Sequence, residues 1–574
     1  MGVLDSLIIL LFLGLSFSIA YFSSGKEKTV ENHFQSGGSL SWFVAGTAMV
    51  ATTFAADTPL AVTELVAKYG ISGNWLWWYM GISSIVTVFF FSFLWKKSGV
   101  LTDVELVELR YGDRGGRILR GFKSIYLGAI LNILILAWVN LAMLKIAEVL
   151  FPGYSAKWIV ALLFLFAFFY TTQMGLIGIS FADTFQFFFA MAGCVILAVF
   201  VLQLPGIGGL SGLKSQLKPG MIQFIPGFSG ENSPFGLDTF LIFITVVWWS
   251  SWYPGAEPGG GGYIAQRILA AKDVNSSIMA SLWFTIAHYF IRPWPWIIVA
   301  LVSLLIYPDL PEVDKSKGFV LLMKNALPEG LFGVLVAGFL AAYLSTIATH
   351  LNWGSSYLIN DLYRPFVRKN KEDSHYLHVS TVSQLLMMIV SLVITFYFID
   401  TISGVWRFIL EAGAGTGFAL IVRWYWPKMN SYGELSGFIL PGFFYSMNHF
   451  FIQIPTPYSI LFIVFSTILV QVLIIHLTPQ TETSILKRFY ERVNPPGYFW
   501  KVWCKTNQID FVPPYLTIVQ STILSILGLV FIYSSLFSVG YLLFLDYTSL
   551  VLTLPLAGGS VYGIWYYFPK TIQD

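Results

Sequence analysis

Long apolar runs separated by short polar stretches make up most of this chain of 574 residues. A helix that spans a membrane needs about 20 mostly apolar residues, and fifteen stretches of the sequence meet that requirement. We number them segments 1 to 15; they cover residues 3–22, 42–66, 74–95, 122–148, 157–177, 183–204, 237–256, 278–306, 330–359, 376–399, 402–426, 434–453, 458–477, 515–536 and 541–568. The pattern predicts an all-α polytopic membrane protein with about 13 to 15 transmembrane helices.

Two of these segments are interrupted near the middle by polar residues, prolines and glycines. Segment 2 breaks at residues 55–59, and segment 7 breaks at residues 253–262, which include four consecutive glycines. Because the breaks are five segments apart, the two segments cross the membrane in opposite directions, which is typical of an inverted repeat. Interrupted helices expose backbone groups inside the membrane, where they are tolerated only if they line a cavity or bind a ligand. The pattern therefore predicts a solute transporter.

The composition and the placement of charge agree with a membrane location. Hydrophobic residues make up 56% of the chain and charged residues 11%, against about 25% charged in soluble proteins. Of the 33 Lys and Arg residues, 23 fall in one set of alternate loops, 7 in the other set and 3 within segments. By the positive-inside rule this split predicts an N-terminus outside and a C-terminus in the cytoplasm, in the inner or plasma membrane. Segment 1 is predicted to be a retained helix, because it has no basic stretch before it and no convincing cleavage pattern.

The order of the segments predicts three regions. Residues 1–35 form an extra transmembrane helix and a cytoplasmic loop, residues 36–430 form a transport core, and residues 431–574 form peripheral helices with a cytoplasmic loop at 478–514. Segments 2 to 6 and 7 to 11 are the two expected halves of the core.

Segment 9 carries an unusual concentration of hydroxyl groups for an apolar helix. Ser345, Thr346 and Thr349, with Asn352, place oxygens on one side of this helix. A dehydrated sodium ion is coordinated by about six hard oxygen ligands, which hydroxyls and the free carbonyls of a broken helix can supply. The alternative is that these hydroxyls only bond to the preceding turn or to a neighbouring helix.

Four sequence motifs in the expected order resemble those of the sodium:solute symporter family. They are Phe34-x-x-Gly37-Gly38-x-Leu40-Ser41-Trp42, Gly175-Leu176 with Asp183-x-x-Gln186, Tyr263-Ile264-Ala265-Gln266-Arg267, and Ala341-Ala342-x-x-Ser345-Thr346 with Leu351-Asn352-x-Gly354-Ser355-Ser356. The resemblance covers most of residues 1–430. It implies a LeuT-like core made of a 5+5 inverted repeat, with the remaining helices at its periphery.

The resemblance also implies a site for Na⁺ as the coupling ion. Its ligands would be the backbone carbonyls of Ala51, Phe54 and Ala342 and the side-chain hydroxyls of Ser345 and Thr346. Asp183 matches a family acid on the inner exit path of the ion, and an acid within an apolar span is a functional candidate by itself. Asp183 could instead be an acid at a helix N-terminus that faces cytoplasmic water.

Four residues at or near the two breaks are candidate solute ligands: Asp57, Thr58, Glu257 and Arg292. A carboxylate at a break can bind an amine or a polyol, or it can be the structural partner of an arginine. Arg292, within segment 8, can pair with either acid, or it can anchor its helix at the membrane interface beside the tryptophans that follow it. The region before Tyr263 departs from the family pattern through its glycine-rich insertion, so the resemblance does not transfer a solute.

These observations together predict a sodium-coupled secondary active symporter that imports a small organic solute by alternating access. The alternatives are a sodium-independent or proton-coupled transporter and a transporter-like sensor. No phosphate-binding loop of an ATP-driven pump and no catalytic cluster of an enzyme is recognisable. The expected partners are the solute, sodium and the lipid bilayer, without nucleic acid.

Overall fold

The computed structural model describes residues 2–23, 29–227, 235–399 and 401–568. Within these ranges the regular structure is helical, and β-structure is limited to two isolated bridges. Three of the basic residues counted above, Lys26, Lys28 and Lys570, lie outside the described residues.

All fifteen predicted segments correspond to helical structure. Segments 1 to 6 are Val3–Ser23, the pair Trp42–Thr53 and Asp57–Tyr69, Ile71–Ser98, Arg114–Leu150, and Ala156–Leu202, which contains both segment 5 and segment 6. Segments 7 to 11 are the pair Leu237–Ser250 and Gly262–Ala270, Val274–Ile306, Leu331–Val367, Asp373–Tyr397, and the pair Ile402–Ala412 and Thr416–Tyr425. Segments 12 to 15 are Ser431–Met447, Tyr458–Leu477, Ile518–Leu543 and Tyr547–Tyr567. The predicted all-α polytopic class is confirmed.

Ten of the helices in the described part of the chain are long and apolar enough to cross a membrane. The broken segments 2, 7 and 11 do not reach that length in one piece, because each is divided into two shorter helices. Their halves together restore the span that the apolar pattern predicts.

Gly175 separates segments 5 and 6, although both segments belong to one helical stretch, Ala156–Leu202. Its φ of 60° and ψ of −179° are not helical, and a positive φ of this kind favours glycine. A side chain there would also meet His33, since an added Cβ would lie 3.2 Å from His33 Nδ1. The glycine thus allows the polypeptide to turn tightly past the short helix Val30–Gln35.

Segment 9 lies at the centre of the molecule. It packs along segments 5 and 6 and also contacts segments 1, 4 and 10 and the first half of segment 2. The first half of segment 2 packs in turn against segments 6 and 8, and its second half against segment 8. The first broken helix and the hydroxyl-bearing helix are therefore neighbours, as a shared ion site requires.

The C-terminal helices lie outside this core. Segments 14 and 15 pack against each other, and segment 14 also contacts segments 3 and 8. Segment 12 packs against segment 13 and against the first part of segment 4. The polar stretch before segment 14 contains two helices, Thr483–Val493 and Tyr498–Thr506.

A buried cluster of charges attaches segment 12 to the core. Glu434 Oε1 accepts hydrogen bonds from Lys123 Nζ at 2.9 Å and from Arg423 Nη1 at 3.1 Å. Glu434 Oε2 accepts one from the Tyr111 hydroxyl at 2.7 Å. Because the side chains of Glu434, Lys123 and Arg423 are at most 3% exposed, water cannot replace these contacts.

Candidate solute and sodium sites

The first break lies slightly earlier in the chain than its prediction at residues 55–59. The first half of segment 2 ends at Thr53, and Phe54, with ψ of 66°, leaves the helical conformation. Asp57 already begins the second half, whose first turn includes Pro59. Proline is tolerated there because the first amides of a helix have no helical partner. The carboxylate of Asp57 thus lies at a helix N-terminus, where the helix dipole stabilises a negative charge.

The second break matches its prediction more closely. The first half of segment 7 ends at Ser250 and the second half begins at Gly262. The backbone of the break is tied to segment 11: the Trp252 amide donates to the Gly413 carbonyl at 3.1 Å, and the Gly415 amide donates to the Ser250 carbonyl at 2.8 Å.

Segment 11 contains a third break that the sequence analysis missed. Its halves end at Ala412 and begin at Thr416, and the intervening Gly-Ala-Gly was the available signal. Gly415 has φ of 104°, and an added Cβ would lie 2.7 Å from Thr467 Cβ. The backbone groups of this third break form hydrogen bonds with backbone groups at the second break.

The five residues predicted to hold sodium lie together. Ala51, Phe54, Ala342 and Ser345 line one narrow crevice between segments 2, 6 and 9. The Thr346 hydroxyl lies 2.9 Å from the Thr52 carbonyl and 3.0 Å from the Ala342 carbonyl. Thr346 thereby joins the helix of segment 9 to the last turn before the first break.

Two buried polar side chains in this crevice lack hydrogen-bond partners among the described residues. One is the Ser345 hydroxyl, and the other is the amide of Gln186, whose oxygen and nitrogen are both without a partner. Buried polar groups of this kind are normally paired, so their grouping marks a place suited to a polar or ionic ligand. Gln186 stood in one of the four motifs but was not among the predicted site residues.

Asp183 lies in the protein interior and is fully buried. The backbone leaves the helical conformation at Gly175, so Asp183 lies about two turns into the helical stretch of segment 6, and in this structure its side chain does not face water. Arg267 Nη2 lies 3.7 Å from Asp183 Oδ2 and donates to Thr349 Oγ1 at 2.7 Å. Thr349 Oγ1 lies 3.1 Å from Thr52 Oγ1. This chain of contacts links Asp183 to the first broken helix.

Three of the four candidate solute ligands line one cavity between the two breaks. They are Asp57, Thr58 and Arg292, and the cavity has a volume of about 90 Å³, enough for several waters. The fourth, Glu257, lines a separate small cavity beside segments 3 and 8. The structure therefore divides the two acids that the sequence analysis grouped together.

Arg292 is buried and faces the same cavity as Asp57. Its Nη2 lies 3.0 Å from His288 Nε2, its Nη1 donates to the Val50 carbonyl at 3.4 Å, and its guanidinium lies 5.1 Å from the ring centroid of Trp296. None of the ion pairs among the described residues includes Arg292. Asp57 Oδ1 likewise has no hydrogen-bond partner in the described part of the chain. The cavity thus presents an acceptor and a donor that do not satisfy each other.

Aromatic side chains form much of the wall of this cavity, a feature the sequence analysis did not single out. They belong to segments 3, 4, 8 and 11 and to the second broken segment: Trp77, Trp138, Tyr253, Tyr263, Tyr289 and Trp406. A cavity with aromatic walls and a few convergent polar groups is typical of small-molecule sites. The high aromatic content of 17% is compatible with such a wall, but composition does not indicate which rings line the same cavity.

Comparison with known proteins extends this picture. The model of the sodium:solute symporter family matches residues 33–441. The sodium/glucose cotransporter of Vibrio parahaemolyticus is 23% identical over 456 residues, which are 75% of this chain and 81% of that protein. The sodium/myo-inositol cotransporter 2 of Rattus norvegicus is 25% identical over 489 residues, 76% of this chain and 68% of that protein.

Solved structures share the architecture. A substrate-bound, outward-open Na⁺-coupled sialic acid symporter superposes with a TM-score of 0.67 at 15% identity, covering 84% of this chain and 99% of that one. Mhp1, a transporter of the nucleobase-cation-symport-1 family, gives a TM-score of 0.50 at 15% identity and covers 80% of this chain and 98% of that one. The predicted LeuT-like 5+5 inverted repeat with peripheral helices is confirmed.

A multi-pass helical core whose broken helices enclose a cavity defines a secondary transporter. More narrowly, the chain belongs to the sodium:solute symporter family. It is a sodium-coupled symporter of a small solute, with Na⁺ as its coupling ion.

Proposed function

We propose that the crevice at Ser345 holds the coupling sodium ion and that the cavity at Asp57 and Arg292 holds the solute. The sodium ligands are the carbonyls of Ala51, Phe54 and Ala342 and the hydroxyls of Ser345 and Thr346, with Asp183 on the inner exit path of the ion. The residues that contact the solute are Asp57, Thr58 and Arg292.

One observation carries this proposal: Thr52 and Thr346 line the solute cavity, and their hydrogen bond joins it to the sodium crevice. A sodium ion that fixes the last turn before the first break also fixes Asp57 at the start of the next helix. Sodium then raises the affinity for solute, and solute raises the affinity for sodium by the same factor. Each net positive charge that enters contributes about 2.3 kcal/mol per 100 mV of membrane potential.

The chemistry of the cavity supports a neutral solute rich in hydroxyls, of the sugar or polyol class. Asp57 accepts hydrogen bonds and Arg292 donates them, so a solute with both kinds of group satisfies both residues. Aromatic rings around the cavity suit the apolar faces of a sugar ring. The glucose and myo-inositol in the names of two relatives support the same class.

The expected direction of transport is inward, with the N-terminus outside and the C-terminus in the cytoplasm of a cell membrane. The distribution of basic residues supports this orientation. We propose the regions 1–35, 36–430 and 431–574 as N-terminal helix, transport core and periphery. The match of the family model to residues 33–441 supports these limits. The same family membership supports transport without an enzymatic reaction.

The solute site is tested by Asp57→Asn in proteoliposomes driven by an inward sodium gradient. We expect sodium-dependent uptake of a sugar or polyol by the wild type and at least a tenfold loss in the variant, because the neutral amide removes the charged acceptor. Glu64→Gln is the matched control, since Glu64 lies on the same helix, half-buried, and does not line the cavity. Wild-type uptake by a correctly folded Asp57→Asn protein would remove Asp57 from the site.

The orientation is tested by labelling introduced cysteines in intact cells. Both native cysteines are buried, so the unmodified protein should react little with a membrane-impermeant maleimide. Val313 is exposed in a short 3₁₀ helix between segments 8 and 9, and Lys369 is exposed in the turn between segments 9 and 10; each is replaced by cysteine in turn. We expect Val313→Cys to be labelled in intact cells and Lys369→Cys only after permeabilisation; the reverse result would invert the topology.

A further inference from the structure

Glu257 is a buried acid that the proposed sodium and solute sites do not use. It lies in the second break and is 2% exposed. Both oxygens of its carboxyl group lack hydrogen-bond partners among the described residues. A carboxyl group removed from water in this way either takes up a proton or binds a compensating positive group. Its surroundings therefore indicate what that group is.

Glu257 lines a small cavity of about 10 Å³, which is the space of a single water-sized occupant. Hydroxyl-bearing residues of segments 3 and 8 form the opposite wall: Ser83, Ser84, Thr87 and Ser281. The small volume of the cavity suits an ion better than an organic ligand, and five of its ten lining residues carry a hydroxyl or carboxyl group.

The protons of three of these hydroxyls are used elsewhere. Ser83 Oγ donates to the Met80 carbonyl at 2.9 Å, and Ser281 Oγ donates to the Ser277 carbonyl at 3.0 Å. Thr285 Oγ1 donates to the Ser281 carbonyl at 2.8 Å, so the 2.6 Å contact between Ser84 and Thr285 uses the Ser84 proton. Because a hydroxyl has one proton and two lone pairs, these oxygens offer only lone pairs to the cavity.

A second carboxylate lies close by and increases the negative charge. A Cβ added to Gly261 would lie 3.3 Å from Asp103 Oδ2 and 3.6 Å from Glu257 Cδ, so both acids flank this glycine. Asp103 has its own donors, the Gly262 amide at 3.2 Å and the Tyr357 hydroxyl, and neither of them reaches Glu257. The field at the cavity thus favours a cation.

We propose that Glu257, with the hydroxyls of Ser83, Ser84, Thr87 and Ser281, forms a second binding site for a sodium ion. The site is separate from the crevice at Ser345, and it extends the proposed function by adding a second coupling ion. Gly255 and Ala256 line both this cavity and the solute cavity. An ion bound at Glu257 therefore fixes the turn that forms one wall of the solute cavity, which couples the ion to the solute.

The number of bound ions tests the proposal. Equilibrium binding of ²²Na⁺ to the purified full-length protein should give two ions per wild-type protein and one for Glu257→Gln. Ser345→Ala with Thr346→Ala should also leave one ion, and the three substitutions together should leave none. A Glu257→Gln protein that binds as many ions as the wild type, with the same affinity, would overturn the second site. An unchanged count in the Ser345 and Thr346 variant would instead overturn the first site.

A stability measurement separates an ion ligand from a structural acid. In a sodium-free buffer with a bulky organic cation, Glu257→Gln should unfold at the same temperature as the wild type or higher, because it removes an uncompensated charge. Added sodium should then stabilise Glu257→Gln less than the wild type. Equal stabilisation of the two proteins by sodium would contradict the proposal.

A second pair of substitutions covers the case in which Glu257→Gln fails to fold. Ser83→Ala with Ser281→Ala retains the carboxylate and removes two hydroxyl oxygens from the cavity. We expect weaker binding of one of the two ions by at least tenfold, while the other ion binds as before. Two ions bound with wild-type affinities would overturn the assignment of these ligands.

Discussion

Replacing Ser345 and Thr346 together with alanine is expected to raise the sodium concentration for half-maximal solute uptake by at least about tenfold. The two hydroxyls are two of the five proposed ligands, and a hydrogen-bonding group that contacts a charge contributes about 1.5–3 kcal/mol. A loss of 1.4 kcal/mol already corresponds to a factor of ten in affinity. Initial rates of uptake measured over a range of external sodium, at constant membrane potential, give the required concentration.

The control for this double variant removes one serine and one threonine hydroxyl away from the crevice. Ser356 Oγ donates to the Trp353 carbonyl at 2.7 Å, and Thr381 Oγ1 donates to the Leu377 carbonyl at 3.1 Å, so each bonds only within its own helix. Ser356→Ala with Thr381→Ala should keep the wild-type sodium dependence. If the Ser345 and Thr346 variant is expressed and folded and shows that same dependence, the coupling ion binds elsewhere.

The positions of the helices and of two breaks followed from the sequence because both depend on local properties. Apolar runs of sufficient length fix the spans, and Pro254, Pro258 and the four glycines that follow cannot continue a buried helix without other partners. The exact limits of the first break did not follow, because Pro59 is compatible with the first turn of a helix as well as with a break. The third break was missed because its three residues interrupt an otherwise apolar run only briefly.

The crevice at Ser345 was predictable from motifs, whereas the cavity at Asp57 and Arg292 was predictable only in part. Ser345 and Thr346 are adjacent in sequence, and the family resemblance supplied the carbonyls that lie opposite them. Glu257 and Asp57 line different cavities because of the path of the chain around Gly255. The positive φ of Gly255, 76°, directs Glu257 away from the cavity that contains Asp57. Such a turn is set by long-range packing, and the apolar pattern does not encode it.

Contacts between distant charged residues were the least predictable feature. Arg267 and Asp183 stood in two different motifs, yet only the folded chain brings them within 3.7 Å. Lys123, Arg423 and Glu434 lie in three different segments, and their charges look like ordinary residues at helix ends in the sequence. Since several acids and bases on the same side of the membrane could pair, composition and spacing do not select the partners.

Glu434→Gln is expected to destabilise the protein by about 3–5 kcal/mol, the usual cost of removing one partner from a buried ion pair. The amide leaves Lys123 and Arg423 without a counter-charge at a position from which water is excluded. The melting temperature of the purified protein in detergent should therefore fall by several degrees. Because the cluster attaches segment 12 to segments 4 and 11, limited proteolysis should also show earlier cleavage near residues 427–431.

An exposed pair provides the comparison for this variant. Lys487 and Glu491 lie 3.9 Å apart with both side chains more than half exposed, and such pairs contribute about 0–1 kcal/mol. Glu491→Gln should therefore leave the melting temperature within experimental error of the wild type. Tyr111→Phe removes one neutral donor to Glu434 but keeps both ion pairs. Its fall in melting temperature should therefore lie between those of Glu434→Gln and Glu491→Gln. If Glu434→Gln were as stable as Glu491→Gln, the buried cluster would not hold segment 12 to the transport core.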